Sequence, residues 1–267
     1  MVNKPGSLTR PGARIRYRDD GGDAAAVVFT HGAGMDHTMF AAQAEAVREA
    51  GYRSVLWDLR GHGESAIDPG CRFTATAALE DLGALIDDRG LSRPILVGHS
   101  LGGNLSQAFV QEHPQRAAGL IVVGSTWNTG PLSRLERLGL RLAAPMLGMI
   151  PAARLPRLMA AASAVSPGAI AETERVFARM PKALFLDVWR ATVSFVKPDP
   201  AYRTPVPIGL LRGAEDRTGN ISSAMPRWAQ AEGVRERVIA GAGHIVTLDA
   251  PDASSAALLS ILEELAS

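Results

Sequence analysis

The sequence predicts a doubly wound, mostly parallel α/β sheet interrupted by one helical insertion. Three observations carry that reading. Short apolar, β-branched runs alternate with helical patterns along most of the chain. The runs are apolar on both sides, as strands covered by helices on both faces must be. One stretch, Trp127 to Tyr202, breaks the alternation and contains no strong strand pattern.

Arg14 to Arg18 alternates with Ile15 and Tyr17 and reads as the start of an antiparallel edge. Strands are expected at Ala26 to Phe29, Ser54 to Trp57, Ile95 to Val97, Leu120 to Val123 and Ile208 to Leu211, with a further candidate at Arg235 to Ile239. Helices are expected at Phe40 to Ala50, stopped by Gly51, and at Ala75 to Arg89, stopped by Gly90. Another is expected at Leu101 to His113, before Pro114, and a last one at Leu258 to Leu265, started by Pro251 and Asp252. The segment from Trp127 to Tyr202 is rich in Ala, Leu, Met and Arg, with Pro131, Pro145, Pro151, Pro156, Pro167 and Pro181 as punctuation. Several short helices inserted between two strands follow from it. The organisation expected is a core of residues 1–126 and 203–267 with residues 127–202 inserted.

Composition narrows the function classes. Hydrophobic residues make up 46% and charged residues 21% of 267, enough for a sizeable core and against disorder. Lys plus Arg number 28 against 27 Asp plus Glu, so no global field favours nucleic acid or an anionic membrane surface, and neither is expected as a partner. The single cysteine, Cys71, excludes an intramolecular disulfide or a multi-cysteine metal site, and reads as a partly buried small residue. No apolar stretch follows the basic residues of the first twenty positions, so no secretory signal is expected. The apolar stretch at Leu142 to Ile150 is too short to span a bilayer. A cytoplasmic monomer or homodimer is expected, and the preference for Arg over Lys resembles usage in GC-rich bacterial genomes.

The strongest chemical signal is Gly98-His99-Ser100-Leu101-Gly102-Gly103, after one strand and opening a helix. A serine on such a turn is lifted clear of the sheet, and glycines are needed because side chains there would strike neighbouring backbone. The helix N-terminus beneath supplies N–H donors for a developing oxyanion. His31-Gly32-Ala33-Gly34 ends an earlier strand and can present a second donor; Ala33 and Leu101 are the expected pair. Gly213-Ala214-Glu215-Asp216 ends another strand at the edge where such sites assemble, offering two acids. Gly241-Ala242-Gly243-His244 follows the last strand, with two glycines that let His244 reach over the sheet. The chain order Ser, Asp, His is that of a hydrolase triad.

With these pieces in order, the chain resembles the α/β-hydrolase-fold family, in particular its small esterase- and lactonase-like members. Asp58-Leu-Arg-Gly-His-Gly-Glu-Ser65 is similar to a segment following an early strand in that family, and Gly243 to Asp252 to its C-terminal histidine motif. The insertion lies where the family carries a helical lid. The resemblance implies Ser100 as nucleophile, His244 as base and then acid, and Asp216, rather than Glu215, as the orienting carboxylate. A serine at this position excludes the aspartate-nucleophile branches. No cofactor is implied, and no pair among the six histidines has metal-ligand spacing.

The expected reaction is hydrolysis of a small carboxylic ester or lactone through an acyl-enzyme; thioester, amide, carbon–carbon and perhydrolase chemistry share the machinery. The alternative is a ligand-binding sensor, or a non-hydrolytic biosynthetic enzyme, on the same fold. Met146, Met149, Met159, Phe177 and Trp189 are candidate apolar walls of the pocket. His37, beside a helix cap at Asp36, is a candidate substrate contact, whereas His31 and His99 are expected to brace their turns and His62 and His113 to be structural or superficial. The arginines of the insertion are expected to form a solvated face, with one or two as candidates for receiving a substrate carboxylate.

Overall fold

The computed structural model describes residues 4–266. Among them, β1 (Lys4–Arg10), β2 (Ala13–Asp19), β3 (Ala26–Thr30), β4 (Arg53–Trp57), β5 (Ala66–Ile67), β6 (Ile95–His99), β7 (Gly119–Val123), β8 (Ile208–Gly213) and β9 (Glu236–Ile239) form one sheet. Its order is β1-β2-β4-β3-β6-β7-β8-β9, with β5 pairing β2. From β4 to β9 neighbouring strands are parallel, while β1, β2 and β5 add an antiparallel edge. The helices are α1 (Ala41–Glu49), α2 (Ala75–Asp88), α3 (Leu101–Glu112), α4 (Arg134–Met149), α5 (Leu155–Ser163), α6 (Pro167–Phe177), α7 (Lys182–Ser194), α8 (Ile221–Glu232), α9 (Val246–Asp249) and α10 (Pro251–Ala266).

Both faces of the sheet are covered, and strand alternation assigns the residues. Val28, Val55, Trp57 and Leu96 face a core completed by α2, α3 and α8. Val27, Phe29, Leu56 and Val97 face the other, completed by α1 and α10. Each such side chain contributes roughly 1.5–3 kcal/mol when fully buried, which is why a run apolar at every position settles in the centre of a parallel sheet. A polar clasp fixes α1 on α10, where Gln43 donates through Nε2 to the hydroxyls of Ser254 and Ser255.

Several expectations need correction. The sheet edge is β1, which pairs with β2 over its whole length; its sequence KPGSLTR is largely exposed and lacks an apolar run. Helix α8 carries Pro226 inside it and was not expected. Pro145 does not end a helix but sits within α4, whose capping box joins Ser133 and Glu136. Helix α10 begins at Pro251, earlier than its apolar stripe suggests. Cys71 is exposed rather than partly buried. Among the described residues, helices α4 to α7 lie consecutively between β7 and β8. Among the described residues no helix is long and apolar enough to cross a membrane.

Candidate active site

Ser100 stands between β6 and α3 with φ 51° and ψ −115°, a conformation that a residue bearing a Cβ adopts only under restraint. The restraint is visible. Its N–H donates to Val123 O at 3.0 Å, and its carbonyl accepts from the Ser125 hydroxyl at 2.8 Å and Asn104 N–H at 2.9 Å. The crossing is too tight for any side chain: a Cβ on Gly98 would stand 2.2 Å from Gly102 O, and one on Gly102 would stand 2.0 Å from Thr30 O. The strain is thus held by the sheet on one side and by α3 on the other.

Opposite Ser100, the turn after β3 closes with Met35 N–H donating to Gly32 O at 3.2 Å. Among the described residues neither the N–H of Ala33 nor that of Leu101 has an acceptor. Free N–H donors are groups that can receive an oxyanion.

The segment from Asp58 to Ser65 is the scaffold of that turn. Asp58, buried, accepts from the His37 backbone N–H at 2.7 Å, from His37 Nδ1 at 3.0 Å and from Glu64 N–H at 2.8 Å. Leu59 N–H donates to His31 Nε2 at 3.0 Å, and His31 Nδ1 in turn donates to Gly32 O at 2.8 Å. Arg60 forks onto Asp81 of α2, with both contacts at 2.8 Å. His31 therefore braces the turn as expected. His37 does too, which corrects its candidacy as a substrate contact: Arg18 Nε donates to its Nε2 at 2.9 Å, so both ring nitrogens are occupied, and it does not line the cavity described below.

His244 lies between β9 and α9, over the carboxyl ends of the strands. Its Nδ1 donates to Asp216 Oδ2 at 3.0 Å, and Asp216 Oδ1 accepts from Thr218 N–H at 2.8 Å. Burial pushes the Asp216 carboxyl up, but the charge of His244 and the hydrogen bonds from His244 and Thr218 outweigh it, so the group is held below the ordinary carboxylate range. Glu215 points away, with its carboxylate 4.0 Å from Arg217 at the surface. No hydrogen bond joins Ser100 Oγ to His244 in this arrangement, though both line the same cavity. Such contacts often close only around a substrate.

Two clamps hold the His244 loop. The His99 side chain donates from Nε2 to His244 O at 2.8 Å; burial and the neighbouring His244 hold His99 down at about 3, so its ring is neutral. The second comes from the insertion. Ile245 N–H donates to Ser163 O at 2.9 Å, and the Asp249 carboxylate accepts from Gly243 N–H at 2.8 Å, Val165 N–H at 2.9 Å and Ser166 N–H at 2.8 Å.

A cavity of about 40 Å³ sits over Ser100, between the two turns and the insertion. Met159, Phe177 and Trp189, candidate walls from the sequence, line it. Met146 and Met149 do not; they lie on the outer side of α4, 58% and 76% exposed. Phe185 and Ser163 line the cavity without having been singled out, as do Met35 and Thr218. Phe185 stands one helical turn before Trp189, and that spacing was the available signal. No arginine or lysine lines the cavity, so the insertion's candidate arginines do not face it.

Comparison with known proteins gives a family model described as the alpha/beta hydrolase family, matching residues 27–257. A 2-hydroxy-6-oxononadienedioate/2-hydroxy-6-oxononatrienedioate hydrolase of Burkholderia vietnamiensis is 34% identical over 116 residues, 42% of this chain and 40% of that protein. Non-heme chloroperoxidase CPO-A1 of Kitasatospora aureofaciens is 38% identical over 110 residues, 41% of this chain and 39% of that one. The matched stretch thus spans about two fifths of these curated relatives. A thermophilic esterase from Thermogutta terrifontis superposes with a TM-score of 0.76 at 24% identity, covering 98% of this chain and 99% of its own, a likeness of fold.

Proposed function

The chain belongs to the alpha/beta hydrolase family, and from that premise we propose that it hydrolyses small, uncharged carboxylic esters or lactones through an acyl-enzyme on Ser100. The observation that carries the proposal is the Asp216–His244 hydrogen bond, at 3.0 Å, set over a strained serine that faces two free N–H groups.

In this reading His244 Nε2 takes the Ser100 proton as Oγ attacks the carbonyl carbon. The oxyanion is received by the N–H groups of Ala33 and Leu101, each worth roughly 2.7–4 kcal/mol of transition-state stabilisation by the loss on removal. Asp216 keeps Nδ1–H directed at itself and stabilises the imidazolium. His244 then hands its proton to the leaving alkoxide, or to the ring oxygen of a lactone. Water, deprotonated by His244, attacks the acyl-enzyme, and the proton returns to Ser100 as the acid leaves.

Substrate charge and size follow from the walls. A dioate of the kind named for the Burkholderia relative carries two carboxylates, and a cavity lined by Phe177, Phe185, Trp189 and Met159 without a basic residue gives them no counter-charge. The small cavity volume favours a short acyl group, which is the reason for preferring esters and lactones over long-chain or dianionic substrates.

The test is intact-protein mass after exposure to a fluorophosphonate, with Ser100→Ala and His244→Ala alongside. One adduct on the parent chain and none on either variant supports the reading, followed by steady turnover of short activated esters. A folded protein that takes no adduct, or that acylates once without turnover, would overturn it in favour of a ligand-binding role.

A further inference from the structure

The outward face of α4 has no part in the site described above. Leu135, Leu138, Leu142, Met146 and Met149 are 80%, 52%, 46%, 58% and 76% exposed. At about 100° per residue they fall within an arc of roughly 80°, forming a continuous apolar stripe about 21 Å long. The opposite face of the helix, where Ala144 is buried, packs towards α7. Helix α4 is therefore apolar on two sides and packed on only one of them. Contiguous exposed apolar surface of this kind marks a contact with something outside the molecule.

The charges beside the stripe indicate what that is. Arg134, Arg137 and Arg141 lie along one flank, within about 100° of its edge by helical geometry. Between Pro131 and Ala171 the sequence holds five arginines and one acid, Glu136. Glu136 is already engaged, accepting from Asn220 Nδ2 at 2.8 Å and from Ser133 N–H at 2.7 Å. Among the described residues Arg134, Arg141, Arg154 and Arg157 have no partner, and Arg137 donates only to Leu132 O at 3.3 Å. The near-balance of charge over the whole chain conceals this local segregation, and with it the basis for expecting no membrane contact.

A second copy of the chain fits poorly as an antiparallel α4 pair. A two-fold axis through an antiparallel α4 pair sets each arginine flank against its own copy, placing like charges face to face. An apolar stripe beside a one-signed basic flank is instead the layout of a helix lying in a membrane interface. We propose that α4 seats the protein on a bilayer containing anionic phospholipid, with Leu135, Leu138, Leu142, Met146 and Met149 entering the headgroup–acyl boundary and Arg134, Arg137 and Arg141 meeting the phosphates.

The experiment is sedimentation of the full chain with vesicles of phosphatidylcholine alone or mixed with phosphatidylglycerol, at low and high salt. Binding to the anionic vesicles at low salt is expected, weakened at least tenfold by high salt. It should be lost in Leu135→Glu/Leu142→Glu and fall roughly fivefold for each of Arg134→Gln and Arg141→Gln. Melting temperature and turnover of a water-soluble ester report that the variants remain folded, and the arginine variants decide the matter should the leucine pair unfold. Failure to bind, equal binding to neutral vesicles, or binding unchanged in the variants overturns the proposal. A dimer that Leu142→Glu dissociates overturns it too, assigning the stripe to a second copy.

Discussion

His99 donates from Nε2 to the backbone carbonyl of His244 at 2.8 Å, so the residue preceding Ser100 holds the His244 loop, 145 positions away. Its other ring nitrogen, Nδ1, is buried without a partner. His99→Phe keeps a ring and removes the donor. The expected result is a kcat lowered about fivefold or more, the size of one lost hydrogen bond, with KM nearly unchanged and a lower melting temperature. Unchanged kcat would mean that the His244 loop is positioned without this contact.

Acid should destabilise the fold early. His62 and His99 are both held at about 3 by burial, so each is neutral in the native state. Between that value and the ordinary histidine pKa near 6.5, the unfolded chain binds the protons and the folded chain does not. Stability therefore rises with pH across this window and falls on acidification, by up to about 1.4 kcal/mol per pH unit for each histidine. Asp216, held below its usual range, adds a further loss only at lower pH, as the carboxylate protonates. Melting temperatures measured between pH 7 and pH 4 check this, and His62→Phe should flatten the slope.

The two acids after β8 separate cleanly in a mutant pair. Asp216→Asn removes the acceptor that fixes the His244 tautomer and should lower kcat by about 10⁴, as such substitutions do in serine triads. Glu215→Gln touches only an exposed group 4.0 Å from Arg217 and should leave turnover near normal. Steady-state kinetics on one activated ester suffices, and the reverse pattern would move the acid role to Glu215.

How much of this was legible beforehand depended on where each residue's role is encoded. The turns carrying Ser100, Ala33 and His244 are written in glycines whose absence of a side chain is a local requirement, as the 2.0 Å approach of Thr30 O to a Cβ on Gly102 shows. Strands β3, β4, β6, β7 and β8 were legible because burial on both faces leaves uninterrupted apolar runs. Strand β1 was not, since a half-exposed edge imposes no such pattern. The insertion was hardest. Met146 and Met159 look alike in sequence, and only the docking of α4 and α5 decides that one faces outward and the other lines the cavity. His37 was ambiguous for a similar reason, because its partner Asp58 lies on another strand end.

Acyl-chain selectivity should follow the aromatic walls. Phe185→Ala enlarges the cavity and removes a fully buried ring, so longer acyl chains should gain in kcat/KM relative to acetate while stability falls by about 3–5 kcal/mol. Trp189 is only partly buried, and Trp189→Ala should shift selectivity the same way at smaller cost. Esters bearing a distal carboxylate should show no salt-dependent advantage over neutral ones, since no basic residue lines the cavity. A panel of nitrophenyl esters of increasing length, with one dicarboxylic half-ester, measures all three.

Asp249 and Ser163 give the molecule a mechanical property of their own. The Asp249 carboxylate grips both Gly243 and the Val165–Ser166 junction of α5 and α6, and Ser163 O takes the Ile245 N–H, so the roof of the cavity and the His244 loop are tied directly to each other. The amides of Val165, Ser166, Gly243 and Ile245 should accordingly exchange with deuterium at one shared rate, as a single opening unit.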